Sequence, residues 1–206
     1  PGPSEIAILA DDSADPGFAA ADLLSQAEHG SGHEAAVCIA TSQELARKIV
    51  EEVVAQADSL PRVQAVREAL SRYGAVIVVA DLDTGVDLLN RIAPEHAELL
   101  VKDPWTWLQK IRNAGAVFLG PASTEPVGDY FAGTNHILPT NGAARYASSL
   151  GLSDFVKTTS VVSYSAERLR QVGPDIMRIA RAEGLEAHAR AVQVRLDSGA
   201  PMRRSR

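Results

Sequence analysis

The side chains able to do chemistry in this sequence are its five histidines and the polar residues beside them. Gln26 and His29 lie three apart at the end of a predicted helix, so they share a face and can present two ligands to one metal ion. An idle surface pair at a helix end has the same spacing. His33 lies beyond Gly30 and Gly32 and is expected to face solvent. Glu95-His96 follows Pro94 at a predicted helix-to-strand junction. An adjacent carboxylate and imidazole can serve two proton transfers, and such groups contribute about 10²–10⁴-fold to a rate. A polar junction without that duty reads alike. Asp129 and His136 fall within residues 128–140, a stretch with two glycines, a proline and neither helical nor strand period. Glu183 and His188 flank Gly184 in a helical region. A set of Gln, His, Asp and His drawn from these clusters offers mixed nitrogen and oxygen donors. Such a shell suits zinc or another divalent transition ion, with room for a substrate. Sequence alone does not bring these residues to one place, so a metal site, an acid–base pair and plain polar surface all stay open.

The elements that must position them alternate. Glu5–Ala10 and Ala35–Ala40 read as short buried strands, and Val76–Ala80 as the clearest of them. Leu99–Val101 and Ala116–Leu119 complete the set. Asp15 with Pro16 opens a helix that runs to His29. Thr41-Ser42-Gln43-Glu44 reads as a capping box for a helix to Ala57, with Leu45, Ile49, Val53 and Val54 on one face. Further helices start at Pro61, at Asp83-Thr84 and at Asp103-Pro104. This alternation predicts an α/β domain over residues 1–150, with a mainly parallel sheet and flanking helices in an incomplete Rossmann-like arrangement. Residues 151–206 read as a C-terminal arm: one strand over Thr158–Tyr164, then helix from Ala166 with a break at Gly173-Pro174 and a weak point at Gly184. Loops after parallel strands open at the mouth of such a sheet, so the site is expected beyond Ala116–Leu119.

Composition narrows the function classes. Net charge is −6 with no basic stripe, so nucleic acid is not an expected partner. No apolar run reaches the roughly eighteen residues that a membrane span needs, and no signal peptide is read. The lone Cys38 sits in an apolar strand, which implies an inert buried thiol and fits a reducing cytoplasm. The chain opens Pro1-Gly2-Pro3-Ser4 without an initiator methionine and reads as the interior of a larger protein. Its basic tail, Met202–Arg206, is expected to fray.

Taken in order, five segments resemble the histidinol dehydrogenase family. They are Gly2–Glu5, Asp22–Gly30, Ala93–His96, the central Gly128–Tyr130 with Gly133–Thr140, and Glu183–His188. The resemblance implies NAD⁺-dependent oxidation of L-histidinol to L-histidine, in two hydride transfers through an aldehyde. By position it implies one zinc per site, held by Gln26, His29, Asp129 and His188. His96 would take the proton of the alcohol, and Glu95 would activate water on the aldehyde. Ser4, Gln26, His29, His96, Asp129, Glu183 and His188 would contact substrate, with His136 nearby and without an assigned step. It also implies an intertwined homodimer in which Glu183 and His188 complete the neighbour's site. The family's N-terminal half, with most NAD⁺ contacts, has no counterpart in these residues, so the cofactor contacts stay unknown. The competing reading is a non-catalytic, truncated zinc- or imidazole-binding module that lacks the NAD⁺ domain.

Overall fold

A computed structural model describes residues 2–198, so the basic tail at 202–206 lies outside the described residues. Five short strands form one parallel sheet: β1 (Glu5–Ala10), β2 (Ala35–Ala40), β3 (Gly74–Val78), β4 (His96–Leu100) and β5 (Ala116–Leu119). Their spatial order is β3-β2-β1-β4-β5. Every neighbouring pair is parallel, with Ile8 opposite Cys38 on one side and Glu98 on the other. Side chains alternate across the sheet. Ile6, Ile8, Ala10 and Cys38 pack under α1 (Pro16–Ala27) and α2 (Gln43–Ala57), with Leu23, Leu45 and Ile49. Ala7, Leu9, Ile39, Ala97 and Leu99 pack on the other face, under Val86 and Leu89 of α4 (Leu82–Ile92), while α3 (Val63–Tyr73) sits with Leu24, Ala27 and Ala57. Burial of Cys38 pushes its thiol up to about 12, so it stays protonated and unreactive.

Several local expectations change. The run at Val76–Ala80 forms its strand two residues earlier and at the sheet edge, where Val78 is 48% exposed. An apolar run reads the same whether one or two strands flank it. Ser42, not Thr41, caps α2, accepting from Leu45 N at 3.2 Å, so no reciprocal box forms. Val54 faces solvent rather than the core. Strand β4 begins at His96 itself, three residues ahead of its apolar run. Asp103 caps α5 (Pro104–Leu108) as expected. The stretch expected to lack regular structure starts inside a short helix, α6 (Glu125–Tyr130), which carries Gly128, Asp129 and Tyr130.

The chain divides into two compact units, Pro1–Val156 and Lys157–Arg206. In the second, Thr158–Tyr164 forms no strand, and Val161 and Val162 are exposed. Helix α7 (Ala166–Ala182) runs straight through Gly173-Pro174, and α8 (Glu186–Asp197) follows a left-handed turn at Gly184. The missing side chain at Gly173 lets α8 close in: a Cβ there would meet Leu196 Cδ1 at 3.0 Å and Val192 Cγ1 at 3.1 Å. Packing of Met177, Ala180 and Ala189 between the two helices outweighs the proline's local cost.

Candidate active site

Five elements bring the candidate residues of the first unit to the amino ends of β1 and β4. This is the opposite end from the carboxyl-end crevice where open α/β sheets usually bind ligands, so the expected location is corrected. The chain reaches it by returning: α1 runs back across the sheet and ends at Ala27, and α6 returns after β5. The loop that follows also folds back, with Asn141 N donating to Glu5 Oε1 at 2.9 Å and Gly2 N donating to Thr140 Oγ1 at 3.1 Å.

Each side chain is held by a local cause. Ala93 ends α4 in the left-handed region, at φ 56, and Pro94 then turns the chain into Glu95-His96. Gly115 lets β5 approach, since a Cβ there would lie 2.6 Å from the Glu95 carbonyl. Gly128 does the same for α6, where a Cβ would lie 2.7 Å from the Phe118 ring. That ring stands 5.8 Å, centroid to centroid, from the His96 imidazole.

His96 is buried, and its Nδ1 lies 3.1 Å from Glu5 O and 3.0 Å from Gln26 Oε1. Both neighbours are acceptors, so Nδ1 carries the proton and Nε2 keeps its lone pair. That nitrogen points toward Glu125 Oε1 at 4.0 Å. Burial lowers the His96 pKa, against the opposing charge of Asp129, so the ring is neutral near pH 7. Glu95 lies on the Nδ1 side, with Oε2 3.7 Å away. The same oxygen accepts from Glu5 N at 3.0 Å, and Ser4 also hydrogen-bonds this carboxyl. Burial, with Glu5 and Asp129 nearby, pushes Glu95 up to about 7. A carboxyl there can both give and take a proton at neutral pH.

His29 sits just past the end of α1, and its carbonyl accepts from Arg62 Nη2 at 3.0 Å. It lines a cavity of about 200 Å³ with Ser25, Glu125, Asp129 and Tyr130, and a second of about 460 Å³ with Ser4 and His33. His136 is exposed, with Nδ1 3.9 Å from Asp129 Oδ1. His33 is exposed and stands beside Tyr73. Glu183 caps the end of α7 and His188 lies in the first turn of α8, both exposed within the second unit.

Among the described residues, the buried carboxyls of Glu125, Asp22, Glu98 and Glu34 escaped the sequence reading. Glu125 is 3% exposed and its Oε1 has no partner. Its spacing of four from Asp129 was the available signal, hidden because α6 was not expected. Asp22 lies one helical turn before Gln26, and Glu98 lies two residues past His96 on the same strand face. His96, Glu125 and Asp129 each offer a ligand atom within 4.8 Å of the others, a trio that shares only Asp129 with the expected zinc set.

The residues present fit a cation. His96, Glu125 and Asp129 offer imidazole and carboxylate donors within 4.8 Å of one another, and His29 lines a cavity with Glu125 and Asp129. The unpartnered Glu125 Oε1 and the mutual repulsion of the carboxyls mark a place short of positive charge. NAD⁺ is not fitted at the carboxyl ends. There, Asp15 Oδ1 already accepts from Gly17 N at 2.7 Å, and Asp11 accepts from Lys102 N at 3.0 Å, so dinucleotide phosphates would meet carboxylates.

A family model for histidinol dehydrogenase matches residues 1–196. The chain belongs to the histidinol dehydrogenase family. It is 50% identical over 196 residues to histidinol dehydrogenase of Halalkalibacterium halodurans, covering 95% of this chain and 46% of that protein. Against the Heliobacterium mobile protein the identity is 51% over the same length and shares. The crystal structure of histidinol dehydrogenase from Elizabethkingia anophelis matches with a TM-score of 0.89 at 40% identity, over 96% of this chain and 45% of that one. The chain thus spans somewhat under half the length of these family members. No helix among the described residues is long and apolar enough to cross a membrane.

The buried acids make a pH prediction for this chain. Burial, with Asp22 alongside, pushes Glu98 up to about 9, and burial with Asp129 alongside pushes Glu125 up to about 8. Their ordinary value is 4.5, so the folded state holds these protons more tightly than the unfolded chain. The stability they contribute is complete below that value and is lost as pH rises through 8 and 9. Metal-free protein is expected to show a Tm that falls from about pH 5 to about pH 9. Thermal denaturation at fixed ionic strength measures it, and a rising Tm over that window contradicts the buried-acid picture.

Proposed function

We propose that this chain supplies the substrate- and zinc-binding half of a site that oxidises L-histidinol to L-histidine through the aldehyde. NAD⁺ would accept hydride, as a step of histidine biosynthesis in the cytoplasm. The observation that carries the reading is the His96 imidazole, pinned by two acceptors at Nδ1 with Nε2 left as a base. Gln26, His29 and Asp129 of one protomer would hold zinc, with His188 from a partner copy. When bound, the ion would act as a Lewis acid and template for the imidazole and amino nitrogens of the substrate.

The chain's own residues then do the proton work. His96 Nε2 takes the hydroxyl proton as the alcohol carbon gives up hydride. Glu95, near the midpoint of its titration at neutral pH, takes a proton from the water that adds to the aldehyde. The hydrate loses a second hydride and a proton to become the carboxylic acid. Ser4 orients the Glu95 carboxyl and reaches substrate, and Glu183 contacts substrate across the dimer. His136 stays in a supporting place beside Asp129.

The test is metal content of the purified protein with and without L-histidinol, together with NADH formation. About one zinc per chain, held more tightly with histidinol, is the expected result. Zinc binding without NADH, even when the remainder of a full-length enzyme is supplied, would favour a binding module. No zinc and no ligand effect would remove both readings.

A further inference from the structure

Behind His96 lies a buried polar chain that the proposed chemistry does not use. Glu98 is 1% exposed and follows His96 by two residues on the same face of β4, between Ile8 and Phe118 in the register. Its Oε2 has no hydrogen-bond partner, and its carboxyl faces that of Asp22, which is 7% exposed and one turn ahead of Gln26 on α1. Asp22 Oδ1 in turn accepts from the hydroxyl of Thr124, the residue that opens α6. Two carboxyls side by side away from water cannot both be charged, so the pair holds a proton. Thr124 makes no capping bond to its own helix, so its hydroxyl is committed to Asp22. The chain joins three elements, and each carries part of the site: His96 on β4, Gln26 and His29 at the end of α1, Glu125 and Asp129 on α6.

We infer that Glu98, Asp22 and Thr124 are positioning residues, a buried strut that fixes α1 and α6 against β4 and so sets the spacing of Gln26, His29 and Asp129 around the metal. The inference rests on the zinc reading given above. A purely structural role would change stability alone. A positioning role changes metal affinity in protein that is still folded, because outer partners typically affect that affinity by about 10–100-fold.

The test uses Thr124→Val, which keeps the side-chain shape and removes the donor, and Thr124→Ser, which returns it. Zinc affinity by chelator competition and Tm of the metal-free protein are read for each. Thr124→Val is expected to weaken zinc binding by about 10-fold, and Thr124→Ser to restore it. Glu98→Gln offers an amide donor to Asp22 and should bind zinc as wild type does, whereas Glu98→Leu should not. If Glu98→Leu fails to fold, the threonine pair still decides. Wild-type zinc affinity in folded Thr124→Val overturns the strut and leaves the zinc reading standing. A wild-type protein that binds no zinc overturns both.

Discussion

His96→Ala is expected to slow histidinol oxidation by about 10²–10⁴-fold in the assembled enzyme, while zinc stays bound. The size follows from what is removed. Nε2 is the one nitrogen of the ring free to accept a proton, and the buried, neutral imidazole is ready to do so near pH 7. Truncation also strips Glu5 O and Gln26 Oε1 of a shared donor, so part of any loss can be structural. His96→Asn separates the two effects. Its amide nitrogen can stand in for Nδ1, and nothing stands in for Nε2. Both variants should lose rate alike, while the asparagine variant keeps a Tm close to wild type. The initial rate of NADH formation at saturating histidinol is the measurement. A rate for His96→Asn within a few-fold of wild type would assign the base elsewhere, with Glu125 next in line on distance.

Mixing two dead enzymes should restore activity. Asp129→Ala removes a proposed metal ligand in the first unit, and His188→Ala removes one in the second. If the site takes Asp129 from one protomer and His188 from its partner, a mixed dimer holds one doubly damaged site and one intact site. With random exchange at equal amounts, half of the dimers are mixed, and activity should return to about a quarter of wild type. Each variant alone should stay near background. Subunit exchange is verified by native mass spectrometry of differently tagged protomers. If exchange is complete and no activity returns, each site is built within one protomer and His188 loses its proposed place.

Local signals in the sequence carried much of the fold. The Asp15-Pro16 start of α1, the strands at Glu5–Ala10 and Ala35–Ala40, and the Asp103 cap all depend on neighbours within a few residues. What was not legible depends on distant partners. Whether the run near Val76 is central or at the edge is decided by which strands lie beside it. Whether Pro174 breaks α7 is decided by α8 packing on Gly173. The site divides along the same line. Histidines and their adjacent polar residues stand out in any sequence, so Gln26, His29, Glu95, His96 and Asp129 could be named. Nothing near Glu98 or Asp22 in sequence marks them as buried, because it is the packing of the sheet and α1 that covers them. The end of the sheet was misjudged because strand-following loops usually carry the site, whereas here α1 and α6 return to the opposite end.

That return sets the sign of the field in which the site works. In a parallel α/β layer, helix N-termini, with their partial positive charge, gather at the carboxyl ends of the strands, and helix C-termini gather at the amino ends. Here α1 ends at Ala27, two residues before His29, and α4 ends at Ile92, three residues before Glu95. The carbonyl ends of two helices therefore lend negative potential to a pocket lined by acidic groups that already resist further negative charge. Phosphate-bearing molecules are repelled from such a pocket, whereas a metal dication or a protonated amine is drawn in. Under the proposed function, an amino alcohol such as histidinol, which carries an ammonium group at neutral pH, would approach down that gradient.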